Sequence, residues 1–316
     1  MTLAFICGTE PLGGDQDGVR ALHARFPVAR HRYARVGEWS GLGADVLLRG
    51  GEGADAATRR RARRISLATA MLAVHDVLAV HGIRPQVVGG TGTGALVAAA
   101  LARCLSAQDL IGSLLRPGPD AAAGGDRAAR PEVALAFLPP AHDPDWYLHA
   151  REGGAVRDVG GLGLDEDSGR HRVVLLSGTG EELARLASVA PRGAIRARRG
   201  ADPLVPVPPA GPAPHDTWSP VLNAPTLPLC SPRGPVTTAD AAGQLFAADA
   251  GLRVDLGDLA QCLDAHGTRL GLVLGSSLPR NLVRFPFPVV HVESPDDLGE
   301  AVSAIFEFGA APRAIA

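Results

Sequence analysis

The apolar positions of the chain follow two spacings, which predict strands that alternate with helices. Short unbroken apolar runs predict buried strands, and the first is TLAFIC at residues 2–7. Apolar residues three and four positions apart predict helices. The predicted strands are 2–7, 86–89, 132–138, 172–176, 193–198, 269–274 and 289–292, and the predicted helices are 19–26, 59–81, 95–104, 107–115, 180–190, 239–248, 256–266 and 297–308. Such alternation is typical of an α/β fold whose parallel sheet carries helices on both faces.

A change of pattern in the middle of the chain predicts a second, smaller unit. Residues 116–131 are loop-like, and the strands and short helix that follow fit a small α+β subdomain. Residues 202–235 are rich in proline, which has no amide hydrogen for a sheet, so we expect them to wrap the surface or line a cleft. The predicted division is a large domain of residues 1–128 and 202–316, with the subdomain at 129–201.

Composition excludes several classes of protein. Of 316 residues, 46% are hydrophobic and 20% charged, which allows a large core, and the net charge of −2 gives no sign of nucleic-acid binding. No apolar run reaches the roughly 18 residues that would cross a membrane. The four cysteines are far apart and lack zinc or iron–sulfur spacing, so each is expected to be a small buried residue in a reducing cytoplasm.

The segment PQVVGGTGTGALVAAALARCLSAQD at 85–109 carries the main functional signal. It reads as a buried strand, a tight glycine turn and an alanine-rich helix. This is the layout of a nucleophile elbow, in which G-x-S-x-G presents a catalytic serine at the apex of the turn. Here the frame is Gly90-Thr91-Gly92-Thr93-Gly94, so the apex residue is Gly92. The turn is predicted without the side chain that performs the chemistry.

The same glycines allow a nucleotide-binding interpretation, because residues 90–95 satisfy G-x-G-x-x-A. That motif needs an acidic residue about 20 positions on, at the end of the next strand. Asp109 instead stands near a predicted helix start. A phosphate-binding P-loop is excluded because it needs a lysine, which the chain lacks. Dinucleotide binding therefore stays a minor alternative.

Several stretches in order resemble the malonyl-CoA:acyl carrier protein transacylase family, which includes the acyltransferase domains of polyketide synthases. The resemblance spans roughly residues 3–285. It implies an α/β-hydrolase-like parallel sheet domain with an inserted ferredoxin-like α+β subdomain. The stretches that carry it are LHARFPVARHRY (22–33), HGIRPQVVGG (81–90), LSAQD (105–109), HRVVLLSGTGEELARL (171–186), SPRGPVTTAD (231–240), GLRVDLGDLAQCLDAHG (251–267) and LGSSLPRNLVRF (274–285).

The family transfers an acyl group from coenzyme A to a carrier protein through a serine ester, with a histidine as base. Aligned on the elbow, the serine is Gly92 and the histidine before it is Thr91. By resemblance His215, in PVPPAGPAPHD, is the base, and the backbone N–H of Thr93 is an oxyanion donor. Resemblance also assigns substrate-binding positions, which are Thr9, Glu10, Arg64, Arg116 and Ser276.

Three interpretations of the altered elbow stay open. In the first, His215 activates an acceptor that attacks the acyl thioester directly, and the glycine apex leaves room for that acceptor. In the second, the protein is a pseudoenzyme that docks an acyl carrier protein or a ketosynthase of a biosynthetic cluster. In the third, Thr91 or Thr93 is the nucleophile. The resemblance implies no permanently bound cofactor and no metal. The phosphopantetheine thioester of coenzyme A or a carrier protein would be the substrate.

Overall fold

A computed structural model of the chain describes residues 2–9, 12–14, 17–52, 56–115, 131–139, 156–197, 221–248 and 254–308. The strands in these ranges are β1 Thr2–Cys7, β2 Val87–Gly90, β3 Pro131–Leu138, β4 Arg157–Leu164, β5 Arg172–Thr179, β6 Ile195–Ala197, β7 Leu229–Ser231, β8 Gly234–Val236, β9 Thr268–Leu274 and β10 Val289–Val292. The helices are α1 Asp17–Arg25, α2 Pro27–Ser40, α3 Ala44–Leu48, α4 Ala56–Val80, α5 Thr93–Leu101, α6 Ala107–Leu114, α7 Gly180–Val189, α8 Ala239–Ala248, α9 Leu256–Ala265 and α10 Asp297–Glu307.

The large sheet has six strands in the order β10-β9-β1-β2-β7-β8. All neighbouring pairs are parallel except β7 and β8, which form an antiparallel hairpin at one edge. Alternate residues of β1 belong to different cores. Phe5 packs with the core beneath α4 and α5, whereas Ile6 packs with the core beneath α9. The two-residue period of a strand thus covers both faces of the sheet, as the pattern predicted.

The second sheet has four antiparallel strands in the order β4-β5-β3-β6. The two central strands, β3 and β5, are the first and third of this sheet in chain order. This is the ferredoxin-like order that the resemblance implied. Helix α7 covers one face and begins with a capping box. Thr179 accepts a hydrogen bond from the Glu182 backbone N–H, and the Glu182 carboxylate accepts one from the Thr179 N–H.

The other face of the small sheet packs on the large domain. Val133 and Leu175 share one core with Leu256 and Leu263 of α9. Backbone hydrogen bonds join the two units, with the Val254 N–H donating to the Val159 carbonyl at 2.7 Å. The two sheets therefore form one packed structure. The domain boundaries at residues 129 and 201 stay a prediction.

The sequence interpretation was wrong for the end of the proline-rich segment. Residues 229–231 and 234–236 are the strands β7 and β8 rather than a surface wrap. Pro235 is tolerated because β8 is an edge strand, where one side needs no ladder donor. Within the described ranges, no helix is long and apolar enough to span a membrane.

Candidate active site at the strand-to-helix turn

The predicted elbow is present, and its apex is Gly92. Strand β2 ends at Gly90, and Gly92 caps α5 with φ +59° and ψ −138°. Glycine adopts this conformation readily, whereas other residues adopt it only under strain. The turn closes through two backbone hydrogen bonds, Gly94 N–H to the Thr91 carbonyl at 3.0 Å and Ala95 N–H to the Gly92 carbonyl at 2.9 Å.

The outer glycines of the motif are required by close packing. A Cβ at Gly90 would lie 2.2 Å from the Gly94 carbonyl oxygen, and a Cβ at Gly94 would lie 2.1 Å from the Cys7 carbonyl oxygen. The turn therefore packs against the end of β1, where the Thr91 N–H also donates a hydrogen bond to the Cys7 carbonyl at 3.1 Å. The spacing G-x-G-x-G therefore has a structural cause that is independent of any bound phosphate.

The side chain of Thr9 occupies the space directly over the apex. A Cβ at Gly92 would lie 2.2 Å from Thr9 Oγ1 and 2.7 Å from Thr9 Cβ. Thr9 is buried, with 3% of its surface exposed. From the sequence, we expected the glycine apex to leave room for an acceptor molecule. That expectation was wrong, because a side chain from the loop after β1 fills this room.

The loop that carries Thr9 is held by the loop after β9. The Gly8 N–H donates to Ser277 Oγ at 3.0 Å, and the Thr9 N–H donates to the Ser277 carbonyl at 3.1 Å. Ser276, predicted to bind substrate, accepts from the Gly14 N–H through its carbonyl at 2.8 Å. Ser277 was not among the predicted substrate-binding positions, although it directly follows Ser276 in the loop after the strand next to β1.

The two threonines beside the apex are also buried. Thr91 is 0% exposed, and its hydroxyl has no hydrogen-bond partner among the described residues. Thr93 is 1% exposed and is the first residue of α5. A helix N-terminus carries partial positive charge, so the backbone at Thr93 is suited to stabilise a developing oxyanion.

The described part of the turn contains no cysteine. The nearest thiol along β1 belongs to Cys7, which packs in the core beneath α4 and α5. Burial raises the pKa of the Cys7 thiol above its usual range. Because the thiolate is the nucleophilic form, burial disfavours Cys7 as a nucleophile.

The structure brings together five predicted site residues at the carboxyl ends of β1, β2 and β9, namely Thr9, Thr91, Gly92, Thr93 and Ser276. Arg64 is half-buried on α4. Ala70 of the same helix contacts the position of Gly275, so Arg64 lies about 9 Å further along the helix axis. Glu10, Arg116 and His215 lie outside the described residues.

An α/β-hydrolase-like sheet, an elbow at the end of its second strand and a ferredoxin-like insertion together define an acyltransferase-type fold. The chain shares this fold with solved malonyl-CoA:acyl carrier protein transacylases. The structure from Xanthomonas oryzae pv. oryzae matches with a TM-score of 0.71 and 18% identity, over 96% of this chain and 98% of that one. The structure from Acinetobacter baumannii matches with a TM-score of 0.71 and 15% identity, over 97% and 98%.

A third similar structure is a type II polyketide synthase acyl-carrier protein in complex with its malonyl-transacylase. It matches with a TM-score of 0.70 and 14% identity, over 96% of this chain and 100% of that one. Neither a protein-family model nor a curated protein sequence matches the chain. The similarity therefore establishes the fold, and it confirms the structural resemblance inferred from the sequence.

Proposed function

We propose that this protein binds an acyl thioester of coenzyme A or an acyl carrier protein at the elbow, and that it transfers the acyl group without a serine ester. The observation that carries the proposal is the elbow backbone. Gly92 keeps the sharp positive-φ turn at the start of α5, with φ +59°, although no side chain there needs to be presented. The fold and the position of the turn agree with a site for thioester carbonyls.

In this mechanism the acyl group passes directly from the donor to the acceptor, and no acyl-enzyme forms. His215 takes the proton from an acceptor hydroxyl, amine or water. The acceptor then attacks the thioester carbonyl, and the pantetheine thiolate leaves. The backbone N–H of Thr93, at the start of α5, stabilises the oxyanion. Because both substrates are held in one complex, their positioning offsets the loss of nucleophilic catalysis.

A transfer assay with a matched histidine control tests this mechanism. The wild-type chain is incubated with an acyl-CoA or an acylated carrier protein as donor, in water and with added alcohol or amine acceptors, and loss of the thioester is followed by mass spectrometry. His215→Ala is expected to lose about 10²- to 10⁴-fold in rate, the usual contribution of a general base. His142→Ala is the control, since His142 also precedes Asp in a proline-rich stretch. Equal rates for wild type and His215→Ala would rule out this role of His215.

A second candidate function is favoured by the contact between Thr9 and Gly92. A side chain over the apex blocks the place where chemistry would occur, as expected of a pseudoenzyme that docks a carrier protein or a ketosynthase. Titration with holo carrier protein separates the two functions. Binding without turnover, for any acyl donor, would support docking, and measurable turnover would support the enzyme.

A further inference from the structure

Two thiols and one imidazole converge on the face of the large sheet that α9 covers. Cys230 belongs to β7, Cys262 belongs to α9, and His266 directly follows the end of that helix. One potential ligand atom from each residue lies within 4.8 Å of the other two. These residues are apart from the elbow, which packs with α5 in the other core.

The local structure explains why the three side chains meet. Cys230 pairs with Gly89 of β2, and a Cβ at Gly89 would contact Cys230, Leu259 and Leu263. Cys230 is therefore directed toward α9, and a glycine beside it makes room. Cys262 and His266 are four residues apart, so they lie on one side of the helix, one turn from each other.

The spacing of these atoms fits a tetrahedral zinc ion. With Zn–S of about 2.3 Å and Zn–N of about 2.0–2.1 Å, two tetrahedral ligands S and N are about 3.6 Å apart. Cys230 Sγ and His266 Nδ1 are 3.6 Å apart. Two thiolates also neutralise the charge of Zn²⁺, which reduces the cost of placing the ion in a buried site.

Both thiols are buried, and two further contacts surround them. Cys230 is 0% exposed and Cys262 is 9% exposed, while His266 is half-buried. The Ser231 backbone N–H donates to the Cys262 thiol. His266 Nδ1 lies 3.0 Å from the Cys262 carbonyl, which orients the ring. The bond from Ser231 holds the Cys262 sulfur in place, whereas the bond from Nδ1 to the Cys262 carbonyl is given up when Nδ1 binds a metal ion.

We propose that Cys230, Cys262 and His266 form a zinc site with three protein ligands and a water molecule as the fourth. On binding, Zn²⁺ releases the two thiol protons, and the imidazole proton moves from Nδ1 to Nε2. The ion would tie the short strand β7 to α9. The proposal does not depend on acyl transfer, because it concerns a different face of the sheet.

Zinc binding to the full reduced chain tests the site. The protein is freed of metal with a chelator, and ZnCl₂ is titrated in competition with a chromophoric chelator. We expect one zinc ion per chain. Cys262→Ser and His266→Gln should each weaken binding at least tenfold, since even partners outside the ligand set contribute about 10- to 100-fold. Cys104→Ser is the control, because Cys104 is also buried but lies in the other core.

Cobalt substitution tests whether the thiols themselves bind the ion, which a loss of stability in the variants could not show. Co²⁺ bound to the wild type should give a thiolate charge-transfer band, and Cys262→Ser should reduce it. Absence of bound zinc in the reduced wild type would overturn the proposal, as would equal zinc affinity in His266→Gln that keeps the wild-type circular dichroism spectrum. Loss of two titratable thiols on mild oxidation, without zinc binding when reduced, would identify a disulfide-forming pair instead.

Discussion

Restoring a serine at the apex should destabilise the protein, because Gly92 and Thr9 are packed against each other. In Gly92→Ser the new Cβ would lie 2.2 Å from Thr9 Oγ1, far inside the 3.5–4.0 Å of an optimal contact between carbon atoms. Overpacking of this kind costs about 1–3 kcal/mol. The backbone at φ +59° and ψ −138° adds about 1–3 kcal/mol for a residue with a side chain.

A graded series at Thr9 separates these two costs. Thr9→Ala removes Oγ1 but keeps the Cβ that lies 2.7 Å from the new atom, so it should rescue Gly92→Ser only partly. Thr9→Gly removes both contacts and should recover the overpacking cost of about 1–3 kcal/mol, leaving the backbone cost. The free energy of unfolding of all single and double variants is measured by urea denaturation.

Gly41→Ser is a control for a positive-φ glycine in open space, with ψ of 9° in the αL region where Gly92 has ψ −138°. Gly41 has φ +68°, and a Cβ there would have no neighbour within 4 Å. It should therefore cost less than Gly92→Ser, and Thr9→Gly should not rescue it. The reasoning is refuted if Gly92→Ser is no more destabilising than Gly41→Ser, or if Thr9→Gly fails to recover any of its stability.

Three further substitutions test how the neighbouring structure is held, each by urea denaturation. Ser277→Ala should cost about 1–3 kcal/mol, because the buried Gly8 N–H loses its acceptor; a neutral result would contradict the anchoring role of Ser277. Asp165→Ala should cost about 1–3 kcal/mol, since its carboxylate accepts from several backbone N–H groups of the β4–β5 turn. Burial alone would raise the pKa of Asp165, but these hydrogen bonds hold that pKa below its usual range. The stability that the carboxylate adds should therefore be present above the unfolded pKa of about 3.9 and be lost as the pH falls through the folded-state pKa. A cost of Asp165→Ala that does not shrink in acid would contradict this assignment. Thr179→Ala should cost about 1 kcal/mol by removing the cap of α7, and an unchanged stability would show that Glu182 alone suffices.

The elements that sequence predicted well are those with their own local pattern. The apolar run of β1 and the periodic helix α4 are visible in the residues themselves. The elbow is visible because its glycines are demanded by a local turn. The match is close even at one helix start, because the predicted helix begins at residue 107 and α6 begins at Ala107, where Ser106 caps it by accepting from the Asp109 N–H at 3.0 Å.

Several features that sequence missed depend on partners far away in the chain. Strand β7 has three residues and exists through its pairing with β2. The hydrogen bond between Gly8 and Ser277 joins residues 269 positions apart. The role of Thr9 was likewise invisible, because it follows from the distance to Gly92 and from no motif. The cluster of Cys230, Cys262 and His266 escaped notice for the same reason, since a strand and a helix supply its members separately.

Acylation of a repaired elbow tests the central claim most directly. The double variant Gly92→Ser plus Thr9→Gly places a serine at the apex and clears the space above it. After incubation with malonyl-CoA and other acyl-CoA donors, its intact mass should increase by one acyl group that hydroxylamine removes, while the wild-type mass should not change. A folded double variant that acquires no acyl group from any donor would contradict the claim that this turn still receives an acyl thioester.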